Sequence, residues 1–97
     1  MKEAEIRKKA IKELTDEGWT IWYPYKSRFK KENDIFGVFD LILVQLSTVK
    51  FIQLTTKGNM KARERKVRNF LTKNLLQLNV EIWGWSKQRK CFFKLII

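Results

Sequence analysis

The amino-acid sequence predicts an α/β sandwich in which two helices pack on one central mixed sheet. Three observations carry this prediction. The chain has 97 residues, enough for one hydrophobic core, so we expect a single domain over residues 1–97. Its apolar pattern changes period in the order helix, three strands, helix, two strands. A helix between two strands is typical of a crossover that pairs those strands in parallel, whereas strands joined by a short connection pair antiparallel.

The first helix is predicted over residues 2–17, where Ile6, Ala10 and Leu14 recur every four residues and a glycine follows as a stop. The aromatic and β-branched run at 19–23 predicts the first strand, which ends at a proline. The polar and basic segment at 25–33 predicts a loop.

The second strand is predicted to begin at about Phe39, and the third to cover residues 51–56. The segment between them, LSTVK, is short enough to make the pair an antiparallel hairpin. Asn59 is then expected to cap a second helix that runs to about Lys73 on an apolar stripe of Met60, Val67, Phe70 and Leu71. The runs VEIWGW and CFFKLII predict the last two strands, with the polar turn SKQRK between them.

Residue types that the chain lacks exclude several classes of chemistry. It has no His and one Cys, Cys91, which excludes an ordinary zinc site, an intrachain disulfide and imidazole-dependent nucleophilic catalysis within one chain. Its apolar runs are shorter than the roughly 20 residues of a membrane span, and the N-terminus lacks the apolar core of a signal peptide. We therefore expect an intracellular, cytoplasmic and soluble protein with no membrane partner.

The charge of the chain indicates a polyanionic partner. Twenty-one Lys and Arg against ten acids give a formal net charge of +11, which favours nucleic acid. The candidate nucleic-acid-binding residues are Lys26, Ser27 and Arg28 in the loop, with Lys57, Asn59, Lys61 and Arg65 around the start of the second helix. Lys87, Arg89 and Lys90 in the last turn form a weaker third group. The alternative for each group is a solvated basic surface.

One acid stands in an otherwise apolar strand. Strand geometry places Asp40 on a face with Ile42 and Val44, and it places Gln53, Thr55 and Lys57 on one face of the next strand. A carboxylate in such surroundings is costly to desolvate unless a cation or hydrogen-bond donors satisfy it. Asp40 therefore either sits at a wet strand end or binds a hard cation beside Gln53. The nearby Asp34 fits a turn residue better than a ligand.

The element order, the Asp that opens the second strand and the Gln53-x-Thr55 pair in the third resemble the PD-(D/E)XK nuclease superfamily over nearly the whole chain. In size and basic character the chain is most similar to archaeal Holliday junction resolvases. The resemblance implies a restriction-endonuclease-like αβββαββ sandwich. It also implies a DNA endonuclease that requires Mg²⁺, for which Mn²⁺ can substitute, and that acts on branched or junction DNA.

Carried over residue by residue, the resemblance makes Asp40 the first metal ligand. Gln53 stands where the family has a second acid, and a neutral amide oxygen would bind Mg²⁺ more weakly. Thr55 stands where the family has its catalytic lysine, so Lys57, two residues further on, is the candidate for that role. The helix acid of the family would fall on Arg7, which leaves Glu3, one turn earlier, as the candidate third ligand. The alternative for Glu3 is a solvated helix terminus.

Two other functional classes compete with the nuclease. The first is a non-catalytic nucleic-acid-binding module on the same scaffold, in which Gln53 and Thr55 record the loss of the metal. The second is a basic subunit of a protein assembly, whose affinity for DNA would depend little on salt. A homodimer is also predicted, because Trp83 and Trp85 lie opposite Ile82 and make both faces of the last strands apolar; the alternative is that a helix packs on one of these faces.

Overall fold

The computed structural model describes residues 3–24 and 35–97, and in these residues two helices flank a five-stranded sheet. The elements in chain order are α1 (Glu3–Asp16), β1 (Thr20–Trp22), β2 (Leu41–Gln45), β3 (Thr48–Thr56), a short 3-10 helix (Lys57–Asn59), α2 (Met60–Lys73), β4 (Val80–Ser86) and β5 (Cys91–Ile96). The predicted loop, with Lys26, Ser27 and Arg28, and the neighbouring Asp34 lie outside the described residues.

The strands lie in the order β1-β2-β3-β4-β5, and the sheet is mixed as predicted. β1, β2 and β3 pair antiparallel, and β5 pairs antiparallel with β4. β3 and β4 are parallel, from the Phe51–Val80 pair to the Thr56–Trp85 pair, because α2 carries the chain back along the sheet between them. The carboxyl ends of β3 and β4 therefore lie side by side.

Each helix covers one face of the sheet. On one face, α1 buries Ile6, Ala10 and Leu14 against side chains from β2, β3 and β4 that include Leu41, Ile52 and Trp83. On the other face, α2 buries Val67 in a second cluster that includes Phe39, Val80 and Ile82. Neighbouring residues of one strand, such as Ile82 and Trp83, belong to opposite clusters, as the alternation of a strand requires. The prediction that both helices pack on the sheet is confirmed.

The hairpin of β2 and β3 is tighter than predicted. Its turn consists of Leu46 and Ser47 alone, because Gln45 pairs with Thr48 and the ladder continues from there. Leu46 adopts a positive φ of 54°, a conformation that leucine disfavours, so a two-residue turn is not expected from the residue types at these positions. At the other end of the hairpin, Asp40 immediately precedes β2.

The prediction that Lys57 continues the face of β3 is wrong. β3 ends at Thr56, and Lys57 begins the 3-10 helix. Gly84 in β4 leaves room for this change of direction, because a Cβ at Gly84 would lie 3.1 Å from the Cα of Lys57. The 3-10 helix therefore packs directly over β4. Asn59 precedes α2 as predicted, but its side chain makes no capping hydrogen bond.

A polar network lies on the face of the sheet that α1 covers. Lys50 Nζ donates to Glu81 Oε2 across 2.8 Å, and Trp83 Nε1 donates to Glu81 Oε1 across 3.1 Å. Burial acts to raise the pKa of Glu81, but these two hydrogen bonds and the charges of Lys50 and Lys94 outweigh burial, so its pKa lies below the ordinary value. Lys94 also pairs with Glu13 at 2.7 Å and so ties β5 to α1.

Candidate functional site

The site is a notch at the end of the β2–β3 hairpin opposite its turn. The pairing with β2 stops at Leu41 and Ile52, so the last residues of β3 extend beyond it. Asp40 anchors the chain there, because its backbone N–H donates to Ile52 O across 2.8 Å. Its carboxylate then takes the place of a strand partner: Asp40 Oδ2 accepts a hydrogen bond from Leu54 N at 2.7 Å. The half-buried carboxylate is thus satisfied in part by the backbone of the neighbouring strand.

Gln53 lies beside Asp40 and is 4% exposed. Its Nε2 donates to Asp40 Oδ2 and to Leu54 O, both across 3.1 Å. Its Oε1 is buried and accepts no hydrogen bond from the described residues. A buried acceptor without a donor costs about 1–3 kcal/mol. The nitrogen of this amide is therefore stabilised by hydrogen bonds, whereas its oxygen is not.

Asp40 and Gln53 line a cavity of about 220 Å³ at the carboxyl end of β3, between the first turns of the two helices. The residues around it are Glu3 and Ile6 from α1, Asp40 before β2, Gln53, Leu54, Thr55 and Thr56 from β3, and Asn59 and Arg63 beside and within α2. The structure therefore brings together four of the residues that the sequence analysis assigned to catalysis or metal binding. They are Asp40, Gln53, Thr55 and Glu3.

Lys57, Lys61 and Arg65 are not among the described residues that line this cavity. Lys57 points toward β5, where its Nζ lies 4.4 Å from the centre of the Phe93 ring. Lys61 and Arg65 are exposed on α2. Lys26, Ser27 and Arg28 lie outside the described residues.

Arg63 is the basic residue that the structure adds to the site. It is half-buried in α2 and lines the cavity with Asp40 and Gln53. The sequence held a signal for it, because Arg63 falls between Met60 and Val67 on the apolar stripe at spacings of three and four residues. A cation on the side of a helix that faces the core is expected to extend toward the rim of the sheet.

The notch offers oxygen atoms of mixed type as candidate ligands for a hard divalent cation. Within residues 3–24 and 35–97, no three acidic, His or Cys side chains come together as a metal site, so carboxylates alone do not form one. Gln53 Nε2, however, lies 3.1 Å from each of two oxygens, Asp40 Oδ2 and Leu54 O. Rotation of the amide by half a turn exchanges Nε2 for the unsatisfied Oε1, which would give three oxygens that a cation such as Mg²⁺ prefers.

Comparison of the chain with protein-family models, with curated proteins and with solved structures found no match. In the part of the chain that the structure describes, neither helix has the length and apolar character needed to cross a membrane.

Proposed function

We propose that the protein is a metal-dependent DNA endonuclease of the PD-(D/E)XK type, similar to Holliday junction resolvases, that hydrolyses phosphodiester bonds. One observation carries the proposal: the side chains of Asp40 and Gln53 meet at the notch between β2 and β3, in a cavity that Arg63 also lines. An oxygen-rich pocket beside a guanidinium suits a divalent cation and a phosphate together.

The arrangement of the sheet supports the same proposal. β1, β2 and β3 form an antiparallel meander, and α2 then carries the chain into the parallel strand β4. The resemblance to restriction-endonuclease-like proteins implies this order of elements and a central mixed sheet, so the observed sheet supports the proposal at that level. Fold likeness alone assigns no activity, so the functional argument depends on the residues at the notch.

Each residue at the notch has a part in the proposed reaction. Asp40, Gln53 through Oε1, and Leu54 through its carbonyl would hold Mg²⁺, with Glu3 as the acid that α1 contributes to the cavity. The bound cation would polarise a phosphoryl oxygen and lower the pKa of a water molecule. Arg63 would offset the charge of the phosphate, which is the part that the sequence analysis gave to Lys57.

A second candidate function, a nucleic-acid-binding module without catalysis, is favoured by the hydrogen bond between Gln53 and Asp40. That bond and the one from Leu54 N satisfy Asp40 Oδ2 from within the protein, with no cation. A neutral amide also supplies less attraction for a divalent ion than a second carboxylate would. Both functions predict DNA binding, and only the nuclease predicts metal-dependent cutting.

The deciding experiment measures cleavage of plasmid, single-stranded and four-way-junction DNA with Mg²⁺ or Mn²⁺, and measures binding of the same DNA without metal. We expect cutting by the wild type, and retained binding but no cutting for Asp40→Ala and for Asp40→Asn, whose amide oxygen can still accept from Leu54 N. Glu64→Gln, at an exposed ion pair on α2, serves as the control and should cut normally. Wild-type binding without any metal-dependent cutting would establish the module instead.

The proposal includes a homodimer, because a junction or duplex presents two strands to be cut. Trp83 and Trp85 are buried within the protomer, so the dimer surface would lie instead along β5, the edge strand of the described sheet, on which Ile96 is 76% exposed. Sedimentation should then give twice the 11.7 kDa mass of one chain. Sedimentation as a monomer at the concentrations used for cleavage would remove the dimer from the proposal without affecting the site.

A further inference from the structure

A second cavity, of about 350 Å³, lies at the carboxyl ends of the parallel strands β3 and β4. Thr56, Lys57 and Gly58 line it on one side, and the residues from Trp85 to Gln88 line it on the other. Thr56 also lines the cavity around Asp40 and Gln53. The two cavities therefore adjoin, and Thr56 is their common wall.

The chemistry of this second cavity differs from that of the first. Of the described residues that line it, none is acidic, and Lys57 and Lys87 are both basic. A further hollow shares Trp85 and Lys87 with it and adds Lys9 and Lys90, again without an acid among its lining residues. The second cavity and this hollow, which continue from the candidate active site, are thus lined by four lysines: Lys9, Lys57, Lys87 and Lys90. Such an arrangement attracts a polyanion.

Two of these lysines are held in position by aromatic rings. Lys57 Nζ lies 4.4 Å from the centre of the Phe93 ring, and Lys9 Nζ lies 5.2 Å from the centre of the Trp85 ring. A contact of this kind attracts the ammonium group to the face of the ring. It also restricts the side chain, so less entropy is lost when the ammonium binds a ligand.

The backbone next to Lys57 is open to a ligand. A Cβ built on Gly58 would meet no atom within 4 Å, so a phosphate can approach the main chain there. The carboxyl ends of parallel strands are also where open α/β sheets commonly bind ligands. The position of this cavity, the charge of its lysines and the open backbone at Gly58 therefore all favour a phosphate ligand.

We propose that this second cavity binds the sugar-phosphate backbone of the strand whose scissile phosphate lies at Asp40, Gln53 and Arg63. The strand crosses Thr56, and its next phosphates lie against Lys57 and Lys87. The inference rests on the proposed nucleic-acid function and gives the direction in which the substrate leaves the active site. It also gives Lys57 a role in binding the substrate, away from the reacting group.

The test compares two double variants that remove the same charge. Lys57→Ala/Lys87→Ala removes the lysines of the cavity, and Lys66→Ala/Lys73→Ala removes two exposed lysines of α2 that line neither cavity. Binding of a labelled single-stranded oligonucleotide is followed by fluorescence anisotropy in EDTA at several salt concentrations. Each phosphate contact on a single strand contributes about 0.7 to the slope of log affinity against log salt, so the first pair should lower the slope by about 1.4.

We expect the cavity pair to lose about tenfold in affinity at low salt and the α2 pair to lose much less. Lys87→Glu, at an exposed turn residue, repeats the measurement without disturbing the contact between Lys57 and Phe93. Equal losses and equal slopes for the two pairs would overturn the inference, even if Asp40→Ala abolishes cutting. A selective loss for the cavity pair would support it even if the wild type never cuts, in which case only the nuclease proposal fails.

Discussion

Gln53 Nε2 donates to Asp40 Oδ2 across 3.1 Å, while the oxygen of the same amide is buried and accepts no hydrogen bond from residues 3–24 and 35–97. The amide nitrogen therefore stabilises the carboxylate from within the protein, while the amide oxygen is an acceptor that the described residues leave unsatisfied. A second carboxylate in its place would repel Asp40 unless a cation lay between them. The identity of residue 53 thus sets how strongly the fold of the notch depends on a metal ion.

This dependence predicts the behaviour of Gln53→Glu. In EDTA at neutral pH the variant should be less stable than the wild type by about 1–3 kcal/mol, because it replaces a hydrogen bond by repulsion between two carboxylates. Mn²⁺ at about 100 times its Kd should restore about 2.7 kcal/mol. Thermal unfolding with and without Mn²⁺ measures both effects. Gln77→Glu, an exposed position with the same change of charge, is the control and should respond little to the metal. A Gln53→Glu variant that is indifferent to Mn²⁺ would argue against a cation at the notch.

The network around Glu81 predicts a dependence of stability on pH. Because the pKa of Glu81 is lowered in the folded protein, its contribution is fully present above the ordinary value of 4.5 and is lost as the pH falls through the lowered pKa. Glu81→Gln should therefore lower the free energy of unfolding by about 1–2 kcal/mol at neutral pH. The difference in this free energy between the variant and the wild type, the gap, should become smaller in acid. Urea unfolding at a series of pH values measures the gap.

Glu64→Gln provides the comparison for that series. Glu64 pairs with Arg68 on the exposed side of α2 at 2.9 Å. Exposed pairs of this kind contribute about 0.2–1 kcal/mol, so the variant should stay close to the wild type. A gap for Glu81→Gln that does not change with pH would show that the charge of Glu81 contributes nothing to stability.

The contact between Gly84 and the 3-10 helix predicts that Gly84→Ala destabilises the protein by about 1–3 kcal/mol, since the new Cβ meets Met60 and the backbone of Lys57. Gly58→Ala is the matched control, because its Cβ meets no atom within 4 Å, and it should be neutral or stabilising by up to about 1 kcal/mol. Chemical denaturation measures both. Equal effects of the two substitutions would show that Gly84 does not determine where Lys57 lies.

The turn at Leu46 predicts a stabilising substitution. Leu46 is 98% exposed and has a φ of 54°, a conformation that Asn tolerates better than Leu. Leu46→Asn should raise the free energy of unfolding by about 0.5–1 kcal/mol. Leu76→Asn is the control, because Leu76 is 39% exposed and is not among the described residues with positive φ, and it should give no gain. A loss of stability for Leu46→Asn would mean that the leucine side chain contributes more than the strain costs.

The sequence predicted the parts of the site that depend on local periodicity. Asp40 and Gln53 meet because the alternation of a strand and the pairing of a hairpin determine which residues lie opposite each other. The position of Lys57 could not be predicted in this way, since it depends on the missing side chain of Gly84, which is adjacent in the sheet but 27 residues away in the sequence. Charge alone does not distinguish Arg63 from its exposed neighbours Lys61 and Arg65, whereas its place on the apolar stripe of α2 does.

The two-residue turn of the hairpin, although it lies at the far end of β2 and β3, determines which side chains reach the cavity. If β2 and β3 slipped by one residue, Gln53 would exchange faces with Leu54, and Asp40 would lose the backbone N–H that it binds. An insertion at Leu46 or Ser47 that shifts this pairing would consequently separate Asp40 from the groups it contacts on β3, without changing any residue at the cavity. This exposed loop should therefore accept many substitutions but few changes in length.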